Sequence, residues 1–247
     1  MDSIRLLTIF AGGIVAGSYA TLVGGGALLI IPLLIFLGFS PHSAVATNRL
    51  GALGGMMTGW YKFHQKSMMD YKVGFAVAGP VVVGAALGAN LVLEVDAAVL
   101  KKVIAILTLF ILAIVMLRPQ VGIEKRKHSL KSHEYIIGAV VGFAIGIYHG
   151  FYGAGGTFLS YLFILFFGQT FVESAATRKI AASLSSVMAL IVFAVSGAIS
   201  YGSGVVLFVG QSIGSYIAAH YSDRIGSVRI KRLFFVIVAF MATKLLT

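Results

Sequence analysis

Residues 21–32 read Thr-Leu-Val-Gly-Gly-Gly-Ala-Leu-Leu-Ile-Ile-Pro, so three consecutive glycines interrupt a long apolar run. A second interruption lies in the other half of the chain, where residues 148–159 read Tyr-His-Gly-Phe-Tyr-Gly-Ala-Gly-Gly-Thr-Phe-Leu. We call residues 24–26 the first break and residues 153–156 the second break. Inside a bilayer such breaks are costly, because freed backbone groups find no water in hydrocarbon. Two of them in matching places indicate that they line a polar cavity.

The composition is typical of a membrane protein. Of the 247 residues, 59% are hydrophobic and 11% are charged, and the mean hydropathy is +0.98. Soluble domains carry about 25% charged residues, so we expect an all-α polytopic membrane protein that spans the lipid bilayer. The net charge of +11 is concentrated in short loops, which indicates the positive-inside pattern rather than a nucleic-acid surface. The lack of cysteine excludes disulfides and thiolate metal sites, and no cofactor is implied.

Ten apolar segments are separated by short polar connections. They cover residues 4–23, 27–37, 43–63, 72–93, 98–117, 135–152, 157–167, 173–199, 204–220 and 229–246. All are expected to be helices, because only helices and closed barrels span bilayers. The second and seventh are short, since about eleven residues at about 1.5 Å each reach about half of a ~30 Å hydrocarbon core. A basic linker at 118–134 separates a first repeat at 1–117 from a second repeat at 135–247.

The two halves resemble copies of each other. The matching pairs include Gly13 with Gly142, Gly25 with Gly155, Thr47 with Thr177, Gly84 with Gly210, and Leu100 with Ile230, and the spacing is nearly the same in every pair. So regular an offset along the chain indicates a duplication. Glycines spaced four positions apart, such as Gly84 with Gly88 and Gly210 with Gly214, are expected to form small-residue faces for close helix packing.

The basic residues predict how the copies are oriented. If each half crossed the membrane four times, the 19 lysines and arginines would divide 10 against 9 between the two sides. With an odd number of crossings per half they divide 14 against 5, which fits the positive-inside rule. We therefore predict two inverted repeats of about five helical segments, with both termini outside and the linker in the cytoplasm. The first pair of segments in each repeat either crosses fully or forms a re-entrant hairpin, as in inverted-repeat transporters.

At each break a helix is expected to begin directly after the glycines, at Ala27 and at Thr157. A helix start presents several unpaired N–H groups and about half a positive charge. Glycine also lets a ligand approach the backbone closely. Two such starts facing one cavity would favour the binding of a small anion, and this binding would not require a buried lysine or arginine. The alternative is a plain helix–helix turn in which glycine serves close packing.

Polar residues near the breaks extend the candidate site. Arg49 is placed about one turn inside its segment, where an ionisable group is a functional hypothesis, with snorkelling as the alternative. Arg178 and Lys179 are expected to snorkel to the cytoplasmic surface or to control topology. The residues expected to bind the substrate are Gly24, Gly25, Gly26, Ala27, Thr47, Asn48, Arg49, His149, Tyr152, Gly153, Gly155, Gly156, Thr157 and Thr177.

The sequence carries few signs of catalysis. Its eight acidic residues fall near segment ends or in loops, so no buried carboxylate relay is expected. The phosphate-binding pattern G-x4-G-K-[ST] does not occur, and neither does H-E-x-x-H. We therefore expect no ATP hydrolysis by this chain and no enzyme.

Several groups of residues carry a family likeness. They are Gly13-x3-Gly17, Gly24-Gly25-Gly26 with Pro32, Gly38-x-Ser40-Pro41-His42-x-Ala44-x2-Thr47-Asn48, and a second copy from Gly153-x-Gly155-Gly156 through Gly168 to Ala176-Thr177. With them the chain resembles, over essentially its whole length, the sulfite exporter TauE/SafE family of membrane permeases. The resemblance implies transport of small sulfur-containing anions, such as sulfite, sulfoacetate or related organosulfonates, across the bacterial inner membrane. Because Leu162 replaces Pro32 and Arg178 replaces Asn48 in the second copy, two equivalent half-sites are not expected.

The leading hypothesis is a permease that exports such anions by alternating access around the two breaks. Export needs no coupling ion, because each negative charge leaving a cell that is negative inside gains about 2.3 kcal/mol per 100 mV. The alternatives are an anion channel, an intramembrane enzyme acting on a lipid or sulfur compound, and a non-transporting partner subunit. A homo-oligomer is compatible with each. Valine in place of Gly25 or Gly155 is expected to abolish transport while the protein stays folded.

Overall fold

The described part of the chain is helical. A computed structural model describes residues 3–117 and 132–222. Its helices are α1 Ser3–Leu22, α2 Ala27–Phe36, α3 Pro41–Gln65, α4 Tyr71–Glu94, α5 Ala97–Leu117, α6 Ser132–Tyr152, α7 Gly156–Phe167, α8 Phe171–Val195 and α9 Tyr201–His220. Nine of the ten predicted segments are thereby confirmed, with ends that agree closely. The tenth segment at 229–246 and most of the linker at 118–134 lie outside the described residues.

Local sequence explains where several helices begin. Ser40 caps α3 by accepting a hydrogen bond from the Ser43 backbone N–H, which is a favoured N-cap arrangement. Helix α8 starts with a capping box in which Thr170 and Glu173 bond each other's backbone. By contrast, α2 and α7 begin after Gly26 and Gly155 without any side-chain cap. The helix starts at the two breaks therefore keep N–H groups that no side chain satisfies.

Five of the described helices, α1, α4, α6, α8 and α9, are long and apolar enough to cross a membrane. Their outer faces carry large exposed apolar side chains, among them Leu7, Phe75, Val140, Ile191 and Val205. Water would disfavour so much apolar surface, whereas lipid covers it. Helices α2 and α7 have only 10 and 12 residues. The chain is therefore a multi-pass membrane protein in which two short helices accompany the spanning ones.

Helix α2 lies in the centre of the largest apolar cluster. Its residues 27–32 are all buried, as is Leu34. A helix that is apolar on every side must be surrounded by protein or lipid, and α2 packs against α1, α3 and α5. This position places the first break inside the protein rather than at its surface.

The predicted glycine faces produce the closest helix contacts. Gly84 and Gly88 of α4 lie against the backbone of α6, where an added side chain would overlap main-chain atoms. Gly210 and Gly214 of α9 lie against the backbone of α1 in the same way. Small residues let helix backbones approach this closely in a membrane, and the packing role predicted for both glycine pairs is confirmed.

The helix contacts follow the predicted duplication. Helix α1 packs on α9 as α6 packs on α4, α3 packs on α9 as α8 packs on α4, and α2 packs on α3 as α7 packs on α8. In each pair of contacts, the helices of the first repeat are replaced by the helices five numbers later, and those of the second repeat by the helices five numbers earlier. Most of the large contacts join a helix of one repeat to a helix of the other. The inverted orientation of the repeats stays a prediction.

Candidate functional site

The two breaks meet inside the protein. Gly24, Gly25 and Gly153 have φ angles of +96°, +76° and +92°, a left-handed conformation that favours glycine. Gly24 lies so close to the Thr157 backbone nitrogen, at the start of α7, that a side chain there would overlap it. Gly153 lies against Ala27 at the start of α2, whose Cβ would be 3.2 Å from a Cβ added to the glycine. Each break therefore touches the helix start that follows the other break.

A narrow cavity of about 30 Å³ lies between the breaks. It has room for a water molecule or a small ion. Eight of the predicted site residues line it, namely Gly24, Gly25, Gly26, Ala27, Asn48, His149, Gly153 and Gly156. Arg178, Lys179 and Gln211 add polar groups that the sequence interpretation did not include. The paired-break prediction thus identified most of the glycine wall but not its main charges.

Arg178 of α8 closes the carboxyl-terminal end of α1. Its Nη2 donates to the carbonyl oxygens of Ala20 and Thr21 at 2.7 and 2.8 Å. Its Nη1 donates to the Gly156 carbonyl at 3.1 Å and to the Ser160 hydroxyl at 2.8 Å. The last four carbonyls of a helix have no partner within it, and a cation is favourable at that end of the helix dipole. Arg178 thereby ties the end of α1 to the start of α7.

Arg49 of α3 does the same for the end of α6. Its Nη2 donates to the carbonyl oxygens of His149 and Gly150. In the duplication these two carbonyls are the counterparts of the two that Arg178 binds at the end of α1. Arg49 makes fewer hydrogen bonds than Arg178, and its Nε has no partner. Each repeat therefore supplies an arginine to the broken helix of the other repeat.

Lys179 is the third buried cation and lines the cavity as Arg178 does, whereas Arg49 lies beside the cavity, against Gly153. Its Nζ donates to the Thr21 hydroxyl at 3.1 Å and to the Gly55 carbonyl at 3.3 Å. The Ser215 hydroxyl lies between the same two groups and bonds both. All of these partners are neutral, so none of them balances the charge of Lys179.

The cavity is electropositive. Arg49, Arg178 and Lys179 are only 1–3% exposed, and no carboxylate is buried within the residues that the structure describes. The expectation that Arg178 and Lys179 snorkel to the cytoplasmic surface is wrong, because their side chains turn inward to the helix ends and the cavity. A buried charge without a counter-charge is strongly unfavourable. A bound anion would relieve that cost.

Neutral donors complete the cavity wall. The Gln211 amide nitrogen lies 3.4 Å from the Asn48 Oδ1, and both residues are buried. His149 is also buried; its Nε2 lies 3.4 Å from the Ser186 hydroxyl, and its Nδ1 has no hydrogen-bond partner. Amide and imidazole N–H groups both donate to oxyanions. These side chains can therefore orient an anion that the cations attract.

Sequence reasoning missed Arg178, Lys179 and Gln211 as site residues. A signal existed for the two cations, because the duplication aligns them with Asn48 and Arg49. The same position near the start of a segment had made Arg49 a candidate. Gln211 gave no such signal, since its position corresponds to no polar residue in the first repeat.

Three other predicted residues lie beside the cavity rather than in its wall. The Thr157 hydroxyl donates to the Val23 carbonyl at 3.3 Å. Gly155 packs against the last turn of α6. The Tyr152 hydroxyl bonds that of Thr108 in the core. These contacts fix the shape of the second break.

Thr47 and Thr177 do not line the cavity, and each binds the backbone directly before a helix start. The Thr47 hydroxyl accepts a hydrogen bond from the Ser200 N–H at 3.0 Å, directly before α9. The Thr177 hydroxyl accepts one from the Asp70 N–H at 3.0 Å, directly before α4. The duplication aligns the two threonines with each other, and it aligns their two donors in the same way. The two bonds are equivalent in the repeats and fasten one repeat to the other.

Replacing Thr177 with valine is expected to lower the free energy of unfolding by about 1–2 kcal/mol, because the Asp70 N–H loses its partner. Anion binding is expected to continue, since Thr177 does not line the cavity. Unfolding in mixed detergent micelles would measure the loss. Thr8→Val, which removes a hydroxyl bonded only within its own helix, is the matched control. If the variant lost anion binding while its stability stayed unchanged, Thr177 would be a substrate-binding residue after all.

Comparisons with known proteins agree with the resemblance seen in the sequence. The family profile of the sulfite exporter TauE/SafE matches residues 9–245. The probable membrane transporter protein YfcA of Escherichia coli K12 is 31% identical over 250 residues, which cover 100% of this chain and 91% of the relative. A probable membrane transporter protein of Haemophilus influenzae is 30% identical, covering 96% of this chain and 92% of the relative. No solved structure matches the chain. A full-length profile match and relatives named as membrane transporters place the chain in the sulfite exporter TauE/SafE family, and it is a membrane permease of that family.

Proposed function

We propose that the chain exports small sulfur-containing anions, such as sulfite or organosulfonates, across the bacterial inner membrane. The anion binds between the two breaks and is released by alternating access. One observation carries the proposal: Arg49, Arg178 and Lys179 are buried around the breaks, while the described residues include no buried carboxylate. Three buried cations in such a place require negative charge, and a transported anion supplies it.

The donors around the cavity suit an oxyanion. Sulfonate oxygens, and those of sulfite at mildly alkaline pH, only accept hydrogen bonds, and the wall offers mainly donors. Helices α2 and α7 start without side-chain caps, so about half a positive charge at each helix start is available to the anion. The buried amides and His149 add direction to this attraction. The combination favours a compact anion over a cation or a neutral solute.

Alternating access fits the way the repeats are joined. The two breaks and the two arginines form contacts between the repeats, so rocking one repeat against the other would move both helix ends together. The cavity of about 30 Å³ has room for only one or two water molecules, which favours a carrier over an open channel. A dianion leaving at about 150 mV would gain about 7 kcal/mol, so export needs no coupling ion.

Flux through reconstituted liposomes tests the proposal. The full-length chain is expected to give saturable efflux of labelled sulfite and sulfoacetate, accelerated when the vesicle interior is made negative. Protein-free vesicles and vesicles with heat-unfolded protein are the controls. Absence of flux for every anion tested would refute the proposal. A flux that never saturates would assign a channel, and chemical conversion of the anion without transport would assign an enzyme.

A further inference from the structure

Helix ends account for the position of two of the three buried cations. Arg49 and Arg178 donate to the last carbonyls of α6 and α1, and each such helix end carries about half a negative charge. The starts of α2 and α7 contribute about half a positive charge each, so these dipole contributions cancel around the cavity. Arg178 and Lys179, which line the cavity, and Arg49 beside it then face no negative charge from any described buried residue.

Lys179 has no comparable structural partner. It donates to a hydroxyl and a carbonyl, Thr21 and Gly55, and both are neutral. An ammonium group has three donors, so one remains for a ligand. Lys179 also lines the cavity together with Asn48 and Gln211. An ammonium beside two amides forms a suitable corner for one oxygen of an oxyanion.

We infer that the cavity selects doubly charged oxyanions and that Lys179 is the residue responsible for this selection. The inference rests on the proposed anion transport and adds the charge class of the substrate. A monoanion would leave most of the buried positive charge unbalanced. A second negative charge on the same small ion balances more of it at short range, where the low-dielectric interior makes the interaction strong.

Chlorate is a matched probe for the charge of sulfite. Both are pyramidal ions with three oxygens and the same number of electrons, but chlorate carries one negative charge. The full-length protein in detergent is titrated with each ion by calorimetry, without oxygen, at constant ionic strength and at mildly alkaline pH, where sulfite is doubly charged. The wild-type protein is expected to bind sulfite about 10- to 100-fold more tightly than chlorate. A ratio near one would overturn the inference.

Variants assign the selection to Lys179. Lys179→Gln is expected to reduce the sulfite-to-chlorate ratio about tenfold, mainly by weakening sulfite. Lys102→Gln makes the same change at an exposed lysine of α5 and is expected to keep the wild-type ratio. An unchanged ratio in Lys179→Gln would overturn the role of Lys179. Should Lys179→Gln fail to fold, Lys179→Arg decides: it keeps the charge, and a lost ratio in that variant would assign the selection to shape.

The outcomes separate this inference from the proposed function. Sulfite flux in liposomes with a binding ratio near one would overturn the charge selection and leave anion transport standing. Absence of both flux and binding for sulfite, sulfoacetate and chlorate would refute the proposed function itself, and the inference with it.

Discussion

Gly24→Ala is expected to reduce sulfite flux by about 100-fold or more, because it forces the two breaks apart. A Cβ at this position would overlap the Thr157 nitrogen and the Gly156 carbonyl carbon, which are backbone atoms of the opposite break. Neither atom can rotate away as a flexible side chain could. The φ of +96° adds strain for any residue other than glycine. Efflux from liposomes, normalised to folded protein, measures the effect.

Gly38→Ala is the matched control for this variant. Gly38 has a φ of +84°, yet nothing lies within 4 Å of an added Cβ. It therefore imposes similar backbone strain of about 1 kcal/mol without touching the opposite repeat. Both variants are compared by size-exclusion profile and melting temperature before flux is measured. Equal flux in the two variants would show that transport does not depend on contact between the breaks.

Arg178→Lys is expected to lower the free energy of unfolding by about 3–5 kcal/mol. The guanidinium of Arg178 reaches four acceptors in two directions, and a lysine ammonium is a point charge on a flexible stem that cannot span them. The end of α1 would then keep buried carbonyls without partners, which is costly in a membrane protein. Unfolding in mixed detergent micelles measures the loss.

Arg49→Lys provides the internal comparison for Arg178→Lys. Arg49 binds the equivalent end of α6 through two hydrogen bonds, so its replacement is expected to cost about half as much, on the order of 2 kcal/mol. The melting temperature is likewise expected to fall further in Arg178→Lys than in Arg49→Lys. Equal losses in both variants would mean that the number of hydrogen bonds to the helix end does not set the stability.

The helices and the breaks could be predicted from the sequence because they depend on local properties. A long apolar run in a bilayer must be helical, and consecutive glycines end such a helix. The repeat spacing paired the two breaks, and the contact between Gly24 and Thr157 agrees with that pairing. The uneven division of basic residues between the two sides of the membrane also remains when the three buried cations are left out. Without them the basic residues divide 12 against 4 instead of 14 against 5.

The partners of the polar groups could not be predicted in the same way. Arg178 and Lys179 follow a short connection, where basic residues commonly mark a cytoplasmic helix end. Only the packing of α1 and α7 around α8 turns them inward. The sequence also did not indicate which glycine of the first break is most sensitive to substitution. A Cβ at Gly25 would meet mainly the flexible Leu28 side chain at 3.0 Å, so Gly24 is the more sensitive position of the first break.

The exchange of arginines between the repeats has a consequence for the synthesis of the chain. Arg178 follows Thr21, whose carbonyl it binds, by 157 residues. The amino-terminal part of a chain emerges from the ribosome first. The carbonyls at the end of α1 therefore lack the Arg178 guanidinium until α8 has been made. A truncated product that ends before α8 has no means of closing that helix end. Synthesis of α8 is thus the step at which the end of α1 gains its cation.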